Sequence, residues 1–145
     1  MKGDTMKRIV CAVLILCLLP VCALAVDLDL FNEYASVFGV PELKDGTFDG
    51  KYTIFNSEGC TIYFREMEDD LIIYVEGDGD PFIEYSVAAI MYIEPDSSAF
   101  SSNCGAFLSL FLLNREGQGT AMTKAGNMLL IQNRGDAYMF AVNRK

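Results

Sequence analysis

The sequence predicts an α+β fold, an antiparallel sheet of about five strands packed against helices in the order α-βββ-αα-ββ. Three observations lead there. Apolar and polar residues alternate with period two in short runs between residues 52 and 76. Helical spacing takes over from Pro81 to Asn114, interrupted at Pro95. Alternation then returns on both sides of Arg134-Gly135.

The first helix is expected over Leu28–Phe38, because Phe31, Tyr34, Ala35 and Phe38 fall at i, i+3, i+4 and i+7. Gly39 and Pro41 end it, and Pro41–Lys51 reads as a loop rich in Gly and Asp. Three strands follow at Tyr52–Asn56, Cys60–Glu66 and Leu71–Glu76, joined by Ser57-Glu58-Gly59 and Glu68-Asp69-Asp70. Cys60, Ile62 and Phe64 share one face of the middle strand, and Thr61, Tyr63 and Arg65 share the other. The third strand sets Leu71, Ile73 and Val75 against Ile72, Tyr74 and Glu76. Such a meander is covered on one side only.

Asp80 as N-cap and Pro81 in the first turn start a helix that runs to Glu94. Its middle is apolar nearly all round, so Val87–Ile93 also admits a buried strand. Another helix is expected from Asp96 or Ser97 to Asn114, with Phe100, Cys104, Phe107 and Phe111 as its stripe. Arg115–Gly126 reads as a polar loop, and Asn127–Asn133 with Asp136–Asn143 as a closing hairpin.

Residues 1–25 read as an export signal, and 26–145 as a single α+β domain. Lys2, Lys7 and Arg8 precede the apolar run Ile9–Leu19, and Ala23-Leu24-Ala25 has the small-x-small form that a signal peptidase cleaves. The apolar stretch is short for a membrane span and contains Pro20, so no span is expected after cleavage. Leu19-Pro20-Val21-Cys22 resembles a lipobox, in which a small residue normally stands where Val21 does; lipid attachment at Cys22 is the alternative. The expected location is secreted or at the cell surface.

Without the signal, 8 Lys+Arg face 19 Asp+Glu, a net charge of −11. Such a surface repels nucleic acid and anionic membranes and keeps an exported chain soluble. Two cysteines remain, Cys60 and Cys104, an even pair that suggests one disulfide. It would close a loop of about 45 residues, worth about 4 kcal/mol on the chain-entropy view. Two buried thiols acting as small hydrophobes are the other reading.

The chemistry that is missing narrows the function more than the chemistry present. With no histidine, Ser-His-Asp and Cys-His catalysis and His-ligated zinc are excluded. There is no C-x-x-C, G-x-S-x-G, S-x-x-K, G-x-G-x-x-G or P-loop, and no cofactor is expected. Carboxylate pairs are the remaining catalytic option. Glu66, Glu68, Asp69 and Asp70 lie at one end of the third strand and Glu76, Asp78 and Asp80 at the other, roughly 20 Å apart. Glu76, Asp78 and Asp80 also have the alternation of a calcium loop, but Pro81 stands where that loop needs glycine. Arg134-Gly135-Asp136 matches an adhesion tripeptide, and a tight turn needs the same glycine. Tyr52, Tyr63, Tyr74, Tyr85, Tyr92 and Tyr138 are available for a binding face or for the core. Tyr63 and Tyr74, with Arg65 beside them, are the binding candidates, being on the strand face opposite the aliphatic one.

Phe31-Asn32-Glu33-Tyr34-Ala35, the hairpins, and a buried helix ending at Glu94-Pro95-Asp96-Ser97-Ser98 resemble small exported proteins of Gram-positive bacteria. That group includes lipoproteins with no assigned activity. The order helix–three strands–helix–two strands is similar to the secretion-chaperone-like fold, without its closing C-terminal helix. The expected function is an exported, non-enzymatic binding module for a protein, peptide or envelope component. The alternative is a carboxylate-dependent hydrolase of envelope glycans.

Overall fold

A computed structural model describes residues 26–144. The export signal, its cleavage after Ala25 and the lipid alternative at Cys22 all lie outside the described residues.

Helix α1 (Leu28–Val37) starts where the Asp27 carboxylate accepts the Leu30 amide at 3.0 Å, and Gly39, at φ 82°, ends the turn after it. Strands β1 (Thr47–Phe48), β2 (Thr53–Ser57), β3 (Cys60–Glu66) and β4 (Leu71–Gly77) follow. Glu58 and Gly59 both have positive φ, the backbone twist a two-residue hairpin needs between β2 and β3. Helices α2 (Gly79–Ile93) and α3 (Phe100–Leu113) precede strands β5 (Gln118–Met122), β6 (Met128–Asn133) and β7 (Tyr138–Arg144).

The seven strands form one antiparallel sheet ordered β1-β2-β3-β4-β7-β6-β5. The C-terminal strand therefore lies at the centre, where β4 and β7 join the meander to the closing hairpin. Two buried cross-strand rows run over the inner face. One is Phe55–Ile62–Val75–Phe140–Ile131 and the other Thr53–Phe64–Ile73–Val142–Leu129. α2 packs on β4 and β7, α3 on β5 and β6, and α1 on α2, so every helix lies on this face. Phe31 of α1 meets Phe64 edge to face with centroids 5.1 Å apart, and Phe107 of α3 meets Phe140 at 4.9 Å. Fully burying one such ring contributes about 1.5–3 kcal/mol.

The α+β class stands, but the sheet has seven strands where five were expected. β1 and β5 fall in segments whose composition reads as loop. Each exists because a neighbouring strand supplies its hydrogen bonds, β2 for Thr47–Phe48 and β6 for Gln118–Met122. Val87–Ile93 is helix, with Val87 to Ile90 all buried as an apolar circumference requires. The cap of α2 is Asp78 and not Asp80, because Gly79 at φ 69° turns the chain early and offers its amide to Asp78 at 2.7 Å. α3 starts at Phe100 and not at Asp96 or Ser97. Asp96 holds a turn of its own by accepting the Ser98 amide on its side chain and the Ala99 amide on its carbonyl.

Cys60 and Cys104 are free thiols, not a disulfide. Cys60 is on β3, whereas α3 carries Cys104 over β5 and β6, at the far side of β4 and β7. Three strand spacings of about 4.8 Å separate β3 from β6, well beyond the reach of a disulfide. Strand alternation turns Cys60 and helical spacing turns Cys104 toward the core, and strand order keeps the two sulfurs apart.

Candidate functional site

Among the described residues no element packs on the second face of the sheet, and its side chains also form cross-strand rows. The middle row is Ile54–Tyr63–Tyr74–Ala141–Leu130. Beside it run Asn56–Thr61–Glu76–Met139–Gln132 and Arg65–Ile72–Asn143–Met128. Tyr63 and Tyr74 are direct partners across β3 and β4, as their shared face in the sequence implied.

Tyr52 completes the aromatic group from the loop before β2. Asp49 sets its position by accepting the Tyr52 amide at 2.8 Å and the Lys51 amide at 3.0 Å. Those two amides hold the Asp49 carboxyl below the usual carboxylate range. The Tyr52 ring meets Tyr63 and Tyr74 edge to face, both with centroids 6.0 Å away, and the Arg65 guanidinium lies 5.8 Å from the Tyr52 centroid. All three predicted binding residues, Tyr63, Tyr74 and Arg65, are thus gathered at this group.

A cleft of about 280 Å³ opens there, lined by Tyr52, Tyr63, Tyr74, Glu76, Arg134 and Met139. Arg134 crosses from the β6–β7 turn to pair with Glu76 at 3.1 Å, and its other nitrogens reach Met139 Sδ and Gln132 Oε1, each at 3.4 Å. Burial of the ring pushes the Tyr63 phenol up and the Glu76 charge adds to this, while the Thr61 hydroxyl and Arg134 pull it down. The cleft therefore offers aromatic faces, a thioether and one fixed charge pair. It can hold an apolar or sugar-like group and hydrogen-bond its edge.

Sequence reasoning named the tyrosines but not Met139 or the Arg134–Glu76 pair. Those two charges are 58 residues apart and meet only because β7 lies beside β4. In the adhesion tripeptide the arginine is turned onto the sheet and paired with Glu76. The calcium reading loses Glu76 to Arg134 and Asp78 to the α2 cap. Among the described residues no group of three or more His, Cys, Asp or Glu is placed to hold a metal ion. Tyr85 and Tyr92 belong to the core, where the Tyr85 hydroxyl donates to the Pro41 carbonyl at 2.8 Å. Tyr138 packs on Phe82 and Phe111.

The second acidic group forms the β3–β4 turn, closed by backbone hydrogen bonds between Met67 and Asp70. Glu66, Glu68, Asp69 and Asp70 surround an open polar cleft there, with Arg144 as its cation. Among the described residues no helix is long and apolar enough to cross a membrane.

Comparison of the chain with protein-family models, with curated proteins and with solved structures finds no match in any of the three.

Proposed function

We propose that the chain is an exported, non-enzymatic binding module that holds a protein, peptide or envelope component against the uncovered face of its sheet. The resemblance to small exported Gram-positive proteins is part of this reading and rests on the motifs that carry it. The observation behind it is the division of labour between the two faces. One is roofed by three helices, while the other presents Tyr52, Tyr63 and Tyr74 around a cleft with a fixed Glu76–Arg134 pair. Tyrosine suits such a surface because its ring gives contact area at small entropic cost and its hydroxyl orients a ligand.

The chain contains no tryptophan and seven tyrosines, three of them at the cleft, so the part of a tyrosine-emission change that disappears when a cleft ring is removed reports on binding there. Isolated cell-wall glycan, envelope lipoprotein fractions and a random peptide library are titrated against the protein. Saturable quenching that weakens at least tenfold in both Tyr63→Ala and Tyr74→Ala supports the reading. Equal binding by the two folded variants overturns it, and release of soluble sugar from the glycan replaces it with hydrolysis. That alternative would have to use the β3–β4 turn, whose carboxylates have the arrangement of a solvated hairpin end.

A further inference from the structure

The two edges of the sheet are unlike. β1 is two residues long and flanked by Lys44, Asp45, Asp49 and Lys51, the charge and brevity that normally blunt an edge. β5, Gln118-Gly119-Thr120-Ala121-Met122, is five residues long and carries no charge and no proline within it. Arg115, Glu116 and Lys124 flank it as charges flank β1, so length is what separates the two edges. Its ladder phase is set by two flanking bonds, from the Thr123 amide to the Asn127 carbonyl and from the Asn133 amide to the Gly117 carbonyl. Residues 117, 119, 121 and 123 therefore bond toward β6, and the backbone groups of Gln118, Thr120 and Met122 face away from it, on the side where no strand pairs among the described residues.

Charge marks the same region. Residues 26–96 hold 3 basic and 17 acidic side chains, whereas residues 97–133 hold 2 basic and 1 acidic. α3, β5 and β6 contain no charged residue at all. α3 packs on β5, and Asn114, the residue that ends it, sits so close to Gly119 that a Cβ there would come within 2.4 Å of Asn114 Nδ2. It leaves Leu108, Leu112 and Leu113 exposed, Leu113 to 84%. A copy of so acidic a chain is repelled from most directions, and this neutral, apolar edge is where two copies can meet.

The geometry points to a homodimer formed by antiparallel pairing of β5 with β5 of a second copy. The two-fold axis passes through the Thr120 pair, and Gln118 lies opposite Met122 on each side. An axis normal to the sheet keeps all helices on one side. Twice the seven strands then form one continuous sheet with both tyrosine clefts on its uncovered face.

The test is light scattering on protein purified from cells expressing the whole sequence. The wild type is expected at twice the single-chain mass, with the dimer fraction rising as salt screens the like charges. Thr120→Pro removes an amide that β6 does not use, and Thr120→Lys sets two ammonium groups opposite each other. Both are expected at the single-chain mass with unchanged circular dichroism, and Phe48→Lys on the other edge should keep the doubled mass. Should neither Thr120 variant fold, amide exchange at Thr120 and Met122 in the wild type must slow as concentration rises. A wild type of single-chain mass throughout, a larger assembly, a dimer that survives both folded variants, or exchange independent of concentration overturns the inference.

Discussion

The carboxylate of Glu94, at the end of α2, accepts a 2.6 Å hydrogen bond from the hydroxyl of Thr123 in the β5–β6 turn. The same carboxylate accepts from the Ala125 amide and the Asn127 side chain, both at 3.1 Å, and from Asn103 of α3. One buried acid thus ties α2, α3 and the hairpin turn together, and it is 8% exposed.

That acid gives the fold an acid-sensitive joint. Burial by itself pushes the Glu94 carboxyl up, but the bonds from Thr123, Asn103, Ala125 and Asn127 outweigh it and hold it below its ordinary 4.5. Its stabilisation is fully present above the ordinary carboxylate value and is lost as pH falls through the lowered one. Urea midpoints measured across that range should drop with acid in the wild type and drop less steeply in Glu94→Gln, where Asp49 and Asp96, also held below their ordinary values, still contribute. At neutral pH, Glu94→Ala should cost about 3 kcal/mol, because four donors lose their charged acceptor.

Asn32 is the equivalent clamp for the loop after α1. Its amide donates to the Leu43 carbonyl at 3.1 Å, and its oxygen accepts the Leu43 amide at 2.7 Å, both bonds buried. Asn32→Ala strands both backbone groups, and a loss of about 2–3 kcal/mol in chemical denaturation is expected.

Gly77 has no room for a methyl group. A Cβ there would lie 2.6 Å from Cys60 Sγ and 3.2 Å from Cys60 Cα. Gly77→Ala should cost about 1–3 kcal/mol. Adding Cys60→Ala should recover only part, since the backbone contact persists. Burial also pushes both the Cys60 and Cys104 thiols up, so alkylation of the native protein at neutral pH should be slow. Denatured without reductant, the chain from Val26 onward should take up two alkyl groups, and reductant should leave its melting temperature unchanged.

The charge pair at the cleft contributes little to stability. The Arg134 and Glu76 side chains are 48% and 35% exposed, so Arg134→Ala should change stability by less than about 1 kcal/mol. Its signature is spectroscopic instead. Because Arg134 draws the Tyr63 phenol down and Glu76 drives it up, Arg134→Ala should raise the alkaline absorbance midpoint of Tyr63 and Glu76→Gln should lower it.

Alternation and helical spacing act between near neighbours, which is why β3, β4, α1 and α2 were legible almost residue by residue. The shared face of Tyr63, Tyr74 and Arg65 follows from the period of a strand alone. β1 and β5 were not legible, because a five-residue run such as Gln118–Met122 has no pattern of its own until β6 pairs with it. The free Cys60 and Cys104 belong to the same class, since their separation is a matter of strand order.

Local residue pattern dictates which side of each strand faces the core, the placement of two tyrosines and an arginine on the other side, and the lack of any histidine chemistry. Tertiary structure decided which strands are neighbours. By seating β7 against β4 it brought Arg134 to Glu76, completed the cleft with Met139, and left β5 as the uncharged edge. Side-chain periodicity is encoded within a few residues, whereas strand order is chosen by whichever long-range pairing buries the most apolar surface while satisfying the backbone.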